Sequence, residues 1–264
     1  DDMPPPPPEV LVDKLIQACL SFPAGTGLGW DALHPRALTR ISRKKLHLLC
    51  GIMAWCEENG QWPQEVCMVI IVLLPKPDGG FRPIGLLPFL PRVWNRTRQC
   101  IAQEWERNNT RSYLYAGAEK GADIAAWKQA ARAELARTRT LSYGQSLLDL
   151  VKAFERVPHH VLVREAGHLK YPLWLLRLSL ATYRLPRVVR VGTVCSGTAI
   201  ATRGITAGSG MATTELRVML IRIVGRASKA HPSVTPTLFV DDISAEATGT
   251  DGHVAEHVVG FTIM

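Results

Sequence analysis

Metal-ligand cysteine spacing is missing from this chain. Its six cysteines (Cys19, Cys50, Cys56, Cys67, Cys100 and Cys195) form no C-x-x-C pair, and Cys50 and Cys56 lack zinc-ligand spacing. Long apolar runs are missing too. The longest, Val66 to Leu74, has nine residues and stops at Pro75, against the ~20 that a spanning helix needs. No membrane partner is therefore expected. The N-terminus, Asp1-Asp2-Met3 followed by prolines, lacks the basic and apolar regions of a secretory leader. The expected location is intracellular, cytoplasmic or nuclear, with reduced and buried thiols. Acidic residues are in deficit, 23 against 31 Lys and Arg, for a net charge of +8. That excess suits a polyanionic partner such as nucleic acid, and equally a merely basic soluble surface. Apolar residues at 47% and charged residues at 20% exclude a wholly disordered chain. A length of 264 residues suits one large domain or two interleaved subdomains.

Along the chain, Pro4 to Pro8 read as an extended tail outside the fold. Helices are expected over Glu9–Leu20, Pro35–Glu58, Leu90–Arg107, Ala122–Arg139, Pro158–Leu169, Leu173–Tyr183 and Ala212–Ala227, with another beginning near Asp251. Val66–Leu74 reads as a buried strand, and Pro77-Asp78-Gly79-Gly80 as the turn into an extended Phe81–Ile84. Ser146–Leu150 reads as a short buried strand, and Arg187–Val194 as a strand with Ala199–Thr202 as its hairpin partner. The glycines at 25, 27 and 29 follow no strand and lack the dinucleotide-binding pattern.

The chemistry concentrates in Leu238-Phe239-Val240-Asp241-Asp242-Ile243, two adjacent carboxylates between apolar, β-prone runs. Like charges beside buried strands repel and are costly to desolvate, and a divalent cation removes that cost. Magnesium favours such hard oxygen ligands together with substrate phosphates. Taken alone, the pair also suits a solvated hairpin turn. A third acid, Asp149, ends the apolar run Leu147-Leu148, and the glycine-rich Gly204–Gly210 lies between these acids in the chain. Lys76 and Arg82 flank the glycine-tipped turn and suit a triphosphate, or simply a solvated hairpin.

In this order the elements resemble the reverse transcriptases of non-LTR retrotransposons and group II introns. The resemblance runs from Gly25-Thr26-Gly27-Leu28-Gly29-Trp30-Asp31, an upstream element, through Lys76 and Arg82-Pro83-Ile84 of a fingers hairpin. It continues in Leu148-Asp149-Leu150-Val151-Lys152-Ala153-Phe154 (motif A), Gly204-Ile205-Thr206-Ala207-Gly208-Ser209 (motif B) and Phe239-Val240-Asp241-Asp242 (motif C). Each motif is weak or moderate alone, and their order makes the signal. The resemblance implies an α+β fold, a polymerase palm with an antiparallel sheet backed by helices and interleaved fingers, the thumb absent or truncated. Residues 1–9 would be a Pro-rich disordered tail, 10–140 the helical and fingers region, and 141–264 the palm, truncated after motif C.

It further implies RNA-directed DNA polymerase activity with an RNA template, a DNA primer and deoxynucleoside triphosphates. Asp149, Asp241 and Asp242 would be catalytic and would hold two Mg²⁺ ions, with Mn²⁺ as a substitute. Lys76, Arg82, Phe154 and Gly208 would bind the nucleotide, Phe154 as the gate against a ribose 2′-hydroxyl. Two departures stand out. Ala207 occupies the place of the family's usual Gln, and 22 residues follow motif C. They motivate an alternative, a catalytically inactive retroelement fragment that binds nucleic acid through its basic surface.

Overall fold

Helix ends follow local chemistry. Val12, Leu15, Ala18 and Cys19 recur at helical spacing and bury one face of α1 (Val12–Leu20). Pro35, its φ already suited to a helix, opens a 3-10 turn over Pro35–Arg40. Ile41 and Ser42 are both extended, so the single helix expected over Pro35–Glu58 is two pieces, the second being α2 (Arg43–Asn59). Gly60, at φ +65°, ends α2, and its amide donates to Cys56 O at 2.7 Å.

The computed structural model describes residues 7–77, 79–117 and 120–263. Pro4 to Pro6 of the expected tail and Asp78 of the expected turn lie outside them. The later elements are β1 (Val69–Pro75), β2 (Phe81–Leu86), α3 (Phe89–Asn108), α4 (Ala122–Thr138) and β3 (Ser142–Leu148). They continue with α5 (His159–His168), α6 (Leu173–Tyr183), β4 (Arg187–Val191), β5 (Val194–Cys195) and α7 (Ala212–Ala230). β6 (Thr235–Phe239), β7 (Asp242–Gly249) and α8 (Asp251–Ile263) complete the described chain. Among the described residues, no helix is long and apolar enough to cross a membrane.

Contacts group the chain into two units, each drawn from two stretches. The first holds Asp1–Trp105 and Phe154–Glu215, the second Glu106–Ala153 and Leu216–Met264. The boundary expected at 140/141 falls inside the second.

In the first unit a four-stranded sheet runs β2-β1-β4-β5, with β1 antiparallel to β2 and parallel to β4. β1 is central but not buried as expected. Only Val69 is fully covered, and Leu74 is exposed. Its Val/Ile content serves pairing on both edges rather than a sealed core. The hairpin partner of β4 is Val194–Cys195, not Ala199–Thr202, because Gly192 at φ +60° turns the chain two residues after Arg190. Ala199 makes only a single bridge, to Arg187. The helical core centres on Trp94, Met53, Leu175 and Leu178. A buried ion pair crosses it, with Arg98 donating to both carboxylate oxygens of Glu57 at 2.6 Å. Arg98 also donates to Pro8 O at 2.6 Å, which ties the end of the proline run into this unit. Cys19, Cys50 and Cys56 are buried, whereas Cys100 and Cys195 are exposed, contrary to the expectation of buried thiols throughout.

The second unit is built on an antiparallel sheet, β3-β7-β6. β7 carries five consecutive buried residues, Ile243 to Ala247, because both faces of this central strand are covered. Alternation assigns the faces. Ser244 and Glu246 point to α4, where they accept from Gln129 (2.6 Å) and Arg132 (2.9 Å to each oxygen). Ala245 and Ala247 pair with Ser146 and Gly144 of β3. Ser146 bonds Thr262 of α8, and a Cβ on Gly144 would strike Val254 of the same helix. β3 begins four residues before the expected Ser146. It is half-open rather than buried, with Leu147 exposed.

Candidate active site

Sheet register in the second unit brings the acids of motifs A and C to one end. Leu148 pairs with Ile243, so Asp149, one residue past β3, continues the register opposite Asp242 and on its face. Phe239 pairs with Asp242, which leaves Val240 and Asp241 as a two-residue hairpin turn. Val240 has φ +59° while Asp241 does not share a positive φ, the pattern of a turn with one left-handed position. A β-branched residue in that region is strained. Lys152, in the turn that follows Asp149, is also left-handed at φ +55°. Backbone strain thus accompanies both segments that carry the acids, a clustering typical of functional sites.

The electrostatics follow from this placement. The Asp242 carboxyl is held above the ordinary carboxylate range, first by partial desolvation, then by the charge of Asp241, then by that of Asp149. Ninety-two positions of sequence thus close to within electrostatic reach. Among the described residues, no three His, Cys, Asp or Glu side chains close around a metal-sized point. The donor set itself, three carboxylates that repel one another, is the hard-oxygen chemistry that suits a divalent cation.

The other candidates sit in the first unit. Lys76 and Arg82 flank the β1–β2 turn, where Pro75 pairs with Phe81 and Leu74 with Arg82. Lys76 N donates to Gly80 O at 3.1 Å, and Gly79 and Gly80 take φ +92° and +78°. Both cations are exposed, and no ion pair among the described residues uses either.

The motif B loop, residues 204–210, is fastened to β2. Gly85 N donates to Ala207 O at 2.6 Å. Gly208 has φ +109°, and a Cβ there would run into Gly85 O, so both its angle and its space require glycine. At the other end Ile205 N donates to Phe154 O at 2.8 Å and Gly204 N to Val157 O at 2.8 Å. The His159 ring bonds Gly204 O at 2.9 Å. The main chain of half-buried Phe154 is thus held by the loop that carries Gly208. Ala207 contributes a backbone carbonyl where the family's Gln would add a side-chain amide.

One group under this loop was not singled out from the sequence. Glu215, on α7, is fully buried and accepts from Tyr183 OH at 2.5 Å. Desolvation pushes its pKa up to about 8. Its signal was present, since an acid at position 215 interrupts the apolar stripe of Met211, Met219 and Leu216 on an amphipathic helix.

Comparison with known proteins gives a family match and a structural likeness of different reach. The family profile described as "Reverse transcriptase (RNA-dependent DNA polymerase)" matches residues 74–259. Among solved structures the chain is similar to an apo telomerase from Candida tropicalis truncated from its C-terminal domain. That likeness has a TM-score of 0.53 at 13% identity and covers 76% of this chain. The chain spans 47% of the length of that structure. No curated protein matches.

Proposed function

Because this chain belongs to the reverse transcriptase family, we propose that it is the RNA-directed DNA polymerase domain of a retroelement of the non-LTR or group II intron type. The single observation that carries the reading is the meeting of Asp149, Asp241 and Asp242 at one end of the β3-β7-β6 sheet, where desolvation, then the charges of Asp241 and Asp149, hold the Asp242 carboxyl above its usual range. The three carboxylates fit two Mg²⁺ ions by donor type, and their mutual repulsion is what a bound cation relieves. Bound there, the metal supplies charge neutralisation for nucleotidyl transfer and activation of the primer 3′-hydroxyl.

The chain's own groups take the remaining roles. Lys76 and Arg82 place positive charge on the triphosphate, and their exposure leaves their donors available. Phe154 presents its ring against the sugar, excluding a 2′-hydroxyl, and the bond from Ile205 N to its carbonyl fixes its main chain. Gly208 lets the loop backbone approach without a side chain. In the reaction the primer 3′-hydroxyl loses its proton to water and its oxygen forms a bond to the α-phosphorus. The bond from that phosphorus to the bridging oxygen breaks, and pyrophosphate leaves. An RNA template and a DNA primer are the macromolecular partners.

The test is extension of a DNA primer on an RNA template with deoxynucleotides and Mg²⁺. The expected result is incorporation by the 264-residue chain, with at least a hundredfold loss in Asp149→Ala and Asp241→Ala. Binding of template and primer without incorporation would overturn the polymerase reading in favour of the inactive, nucleic-acid-binding alternative that Ala207 motivates.

A further inference from the structure

Beneath the motif B loop, four side chains of the first unit form one hydrogen-bonded chain. Ser209 Oγ, in the loop, accepts from Asn95 Nδ2 of α3 (3.4 Å) and from Met211 N (3.2 Å). It lies 3.3 Å from Tyr183 OH, at the end of α6. Tyr183 has one hydroxyl proton, and the 2.5 Å contact to Glu215 Oε2 claims it. The contact with Ser209 is therefore Ser209's to donate, and the chain runs Asn95 to Ser209 to Tyr183 to Glu215. Glu215 is the terminal acceptor and is completely buried. Nothing in the polymerase chemistry proposed above uses it.

The surroundings of Glu215 favour a neutral acid. Ser179, also on α6, faces its carboxyl. Glu215 Oε1 and Ser179 Oγ are both buried, and Ser179, like Tyr183, interacts with the carboxyl in the sense that favours its charged form, but burial outweighs both. A proton on Oε1 gives Ser179 Oγ a donor and removes an uncompensated buried charge. No ion pair or hydrogen bond from a cation reaches Glu215 among the described residues. The charged and titratable groups near the chain contact Tyr183, the loop or one another. Arg187 Nη2 donates to Tyr183 O (2.9 Å) and to Thr206 Oγ1 of the loop (3.1 Å). The His159 ring lies 6.5 Å from that of Tyr183, Arg184 Nε donates to His159 Nδ1 at 3.4 Å, and Tyr171 also faces Tyr183.

We propose that Glu215, as a neutral carboxylic acid acting through Tyr183 and Ser209, is a positioning residue that sets the nucleotide-binding loop Gly204–Gly210. The inference deepens the polymerase reading and rests on it for the loop's role, but the network itself is independent of activity. Neutral Glu215 completes the bonds beneath the loop, and the loop in turn holds Gly208 against β2 and the main chain of Phe154. Ionisation leaves a buried charge that Tyr183 and Ser179 offset only in part, and water entering beneath the loop to solvate it loosens the anchor of Ser209. The raised pKa of the group agrees with a neutral acid at physiological pH.

Two readouts on the full chain separate this inference from the polymerase assignment. Amide exchange at Ser209 and Met211, corrected for intrinsic rates, needs no catalysis. The KM for a deoxynucleotide in primer extension does. Glu215→Gln copies the neutral acid, and it is expected to match wild type at pH 7 and to keep that protection at pH 9, where wild type exchanges at least fivefold faster. Tyr183→Phe removes the bridging hydroxyl and keeps the ring. It is expected to speed loop exchange at least fivefold and raise KM at least threefold, with kcat within twofold. If Glu215→Leu folds, it behaves like Tyr183→Phe. The proposal is overturned if Tyr183→Phe leaves both exchange and KM unchanged, or if Glu215→Gln is already loosened at pH 7. Absence of extension by wild type, with the exchange pattern as expected, would sink the polymerase reading and leave the network standing.

Discussion

Replacing Glu215 by Gln should change how stability depends on pH, and the size of the effect follows from burial. The carboxyl is raised from 4.5 to about 8 in the fold. At about 1.4 kcal/mol per pH unit, that rise sets an upper limit of about 5 kcal/mol on the group's linkage to folding. The residue is completely covered, so solvent screening takes little from this figure. A carboxyl raised in the folded state binds its proton more tightly there than in the unfolded chain. Its stabilisation is fully present below pH 4.5, falls as pH rises, and is gone above about 8. Gln does not titrate. The stability of wild type minus that of Glu215→Gln should therefore fall by about 3–5 kcal/mol between pH 4.5 and 8 and stay level above. Urea unfolding followed by tryptophan fluorescence measures it, since Trp62, Trp94 and Trp105 all lie in the first unit. Other titrating groups, His159 among them, cancel in the difference. A difference that is flat across this window would refute the claim of a buried, protonated Glu215.

Other perturbations follow from the same geometry. Gly208→Ala puts a Cβ against Gly85 O at φ +109° and should cost about 1–3 kcal/mol, read as a lower urea midpoint; an unchanged midpoint would show that the loop is not held there. Phe154→Val should raise ribonucleotide incorporation relative to deoxynucleotide at least tenfold in primer extension, and unchanged sugar discrimination would remove the gate. Arg132→Ala strands the buried Glu246 carboxylate, which Arg132 grips through both oxygens. A loss of about 2–4 kcal/mol is expected, because an uncompensated buried charge is left behind, and chemical denaturation would show whether it is.

The acids of motif C were readable only through the order of the motifs, since the pair alone also suits a solvated hairpin turn. Register then did the rest, since pairing of Leu148 with Ile243 is enough to carry Asp149 to the same sheet end. The start of β3 was not readable. Ser142-Tyr143-Gly144-Gln145-Ser146 shows no apolar alternation. Its fit depends on a Ser146–Thr262 bond and on the space that Gly144 leaves for Val254, both made by a helix more than a hundred residues later. The β4–β5 hairpin leaves little mark in the sequence, because Gly192-Thr193 lies inside a β-prone run and only the left-handed angle of its glycine makes it a two-residue turn. The break at Ile41-Ser42 leaves no mark in apolar spacing, which continues across it. Glu215 was visible as an acid on an apolar stripe, but its partner Tyr183 lies 32 positions away, and only the fold joins it, and Ser209 beyond it, to the acid.

The most direct test of the central claim is to ask whether the acids share one metal cluster. Electron paramagnetic resonance of Mn²⁺, with the chain bound to primer, RNA template and a deoxynucleotide, reports two ions as an exchange-coupled pair when they lie about 4 Å apart. The expected result is a coupled signal in wild type that is lost in Asp149→Asn and in Asp241→Asn. A coupled signal that survives Asp149→Asn, or isolated ions only in wild type, would contradict the claim that these distant acids form a single catalytic centre.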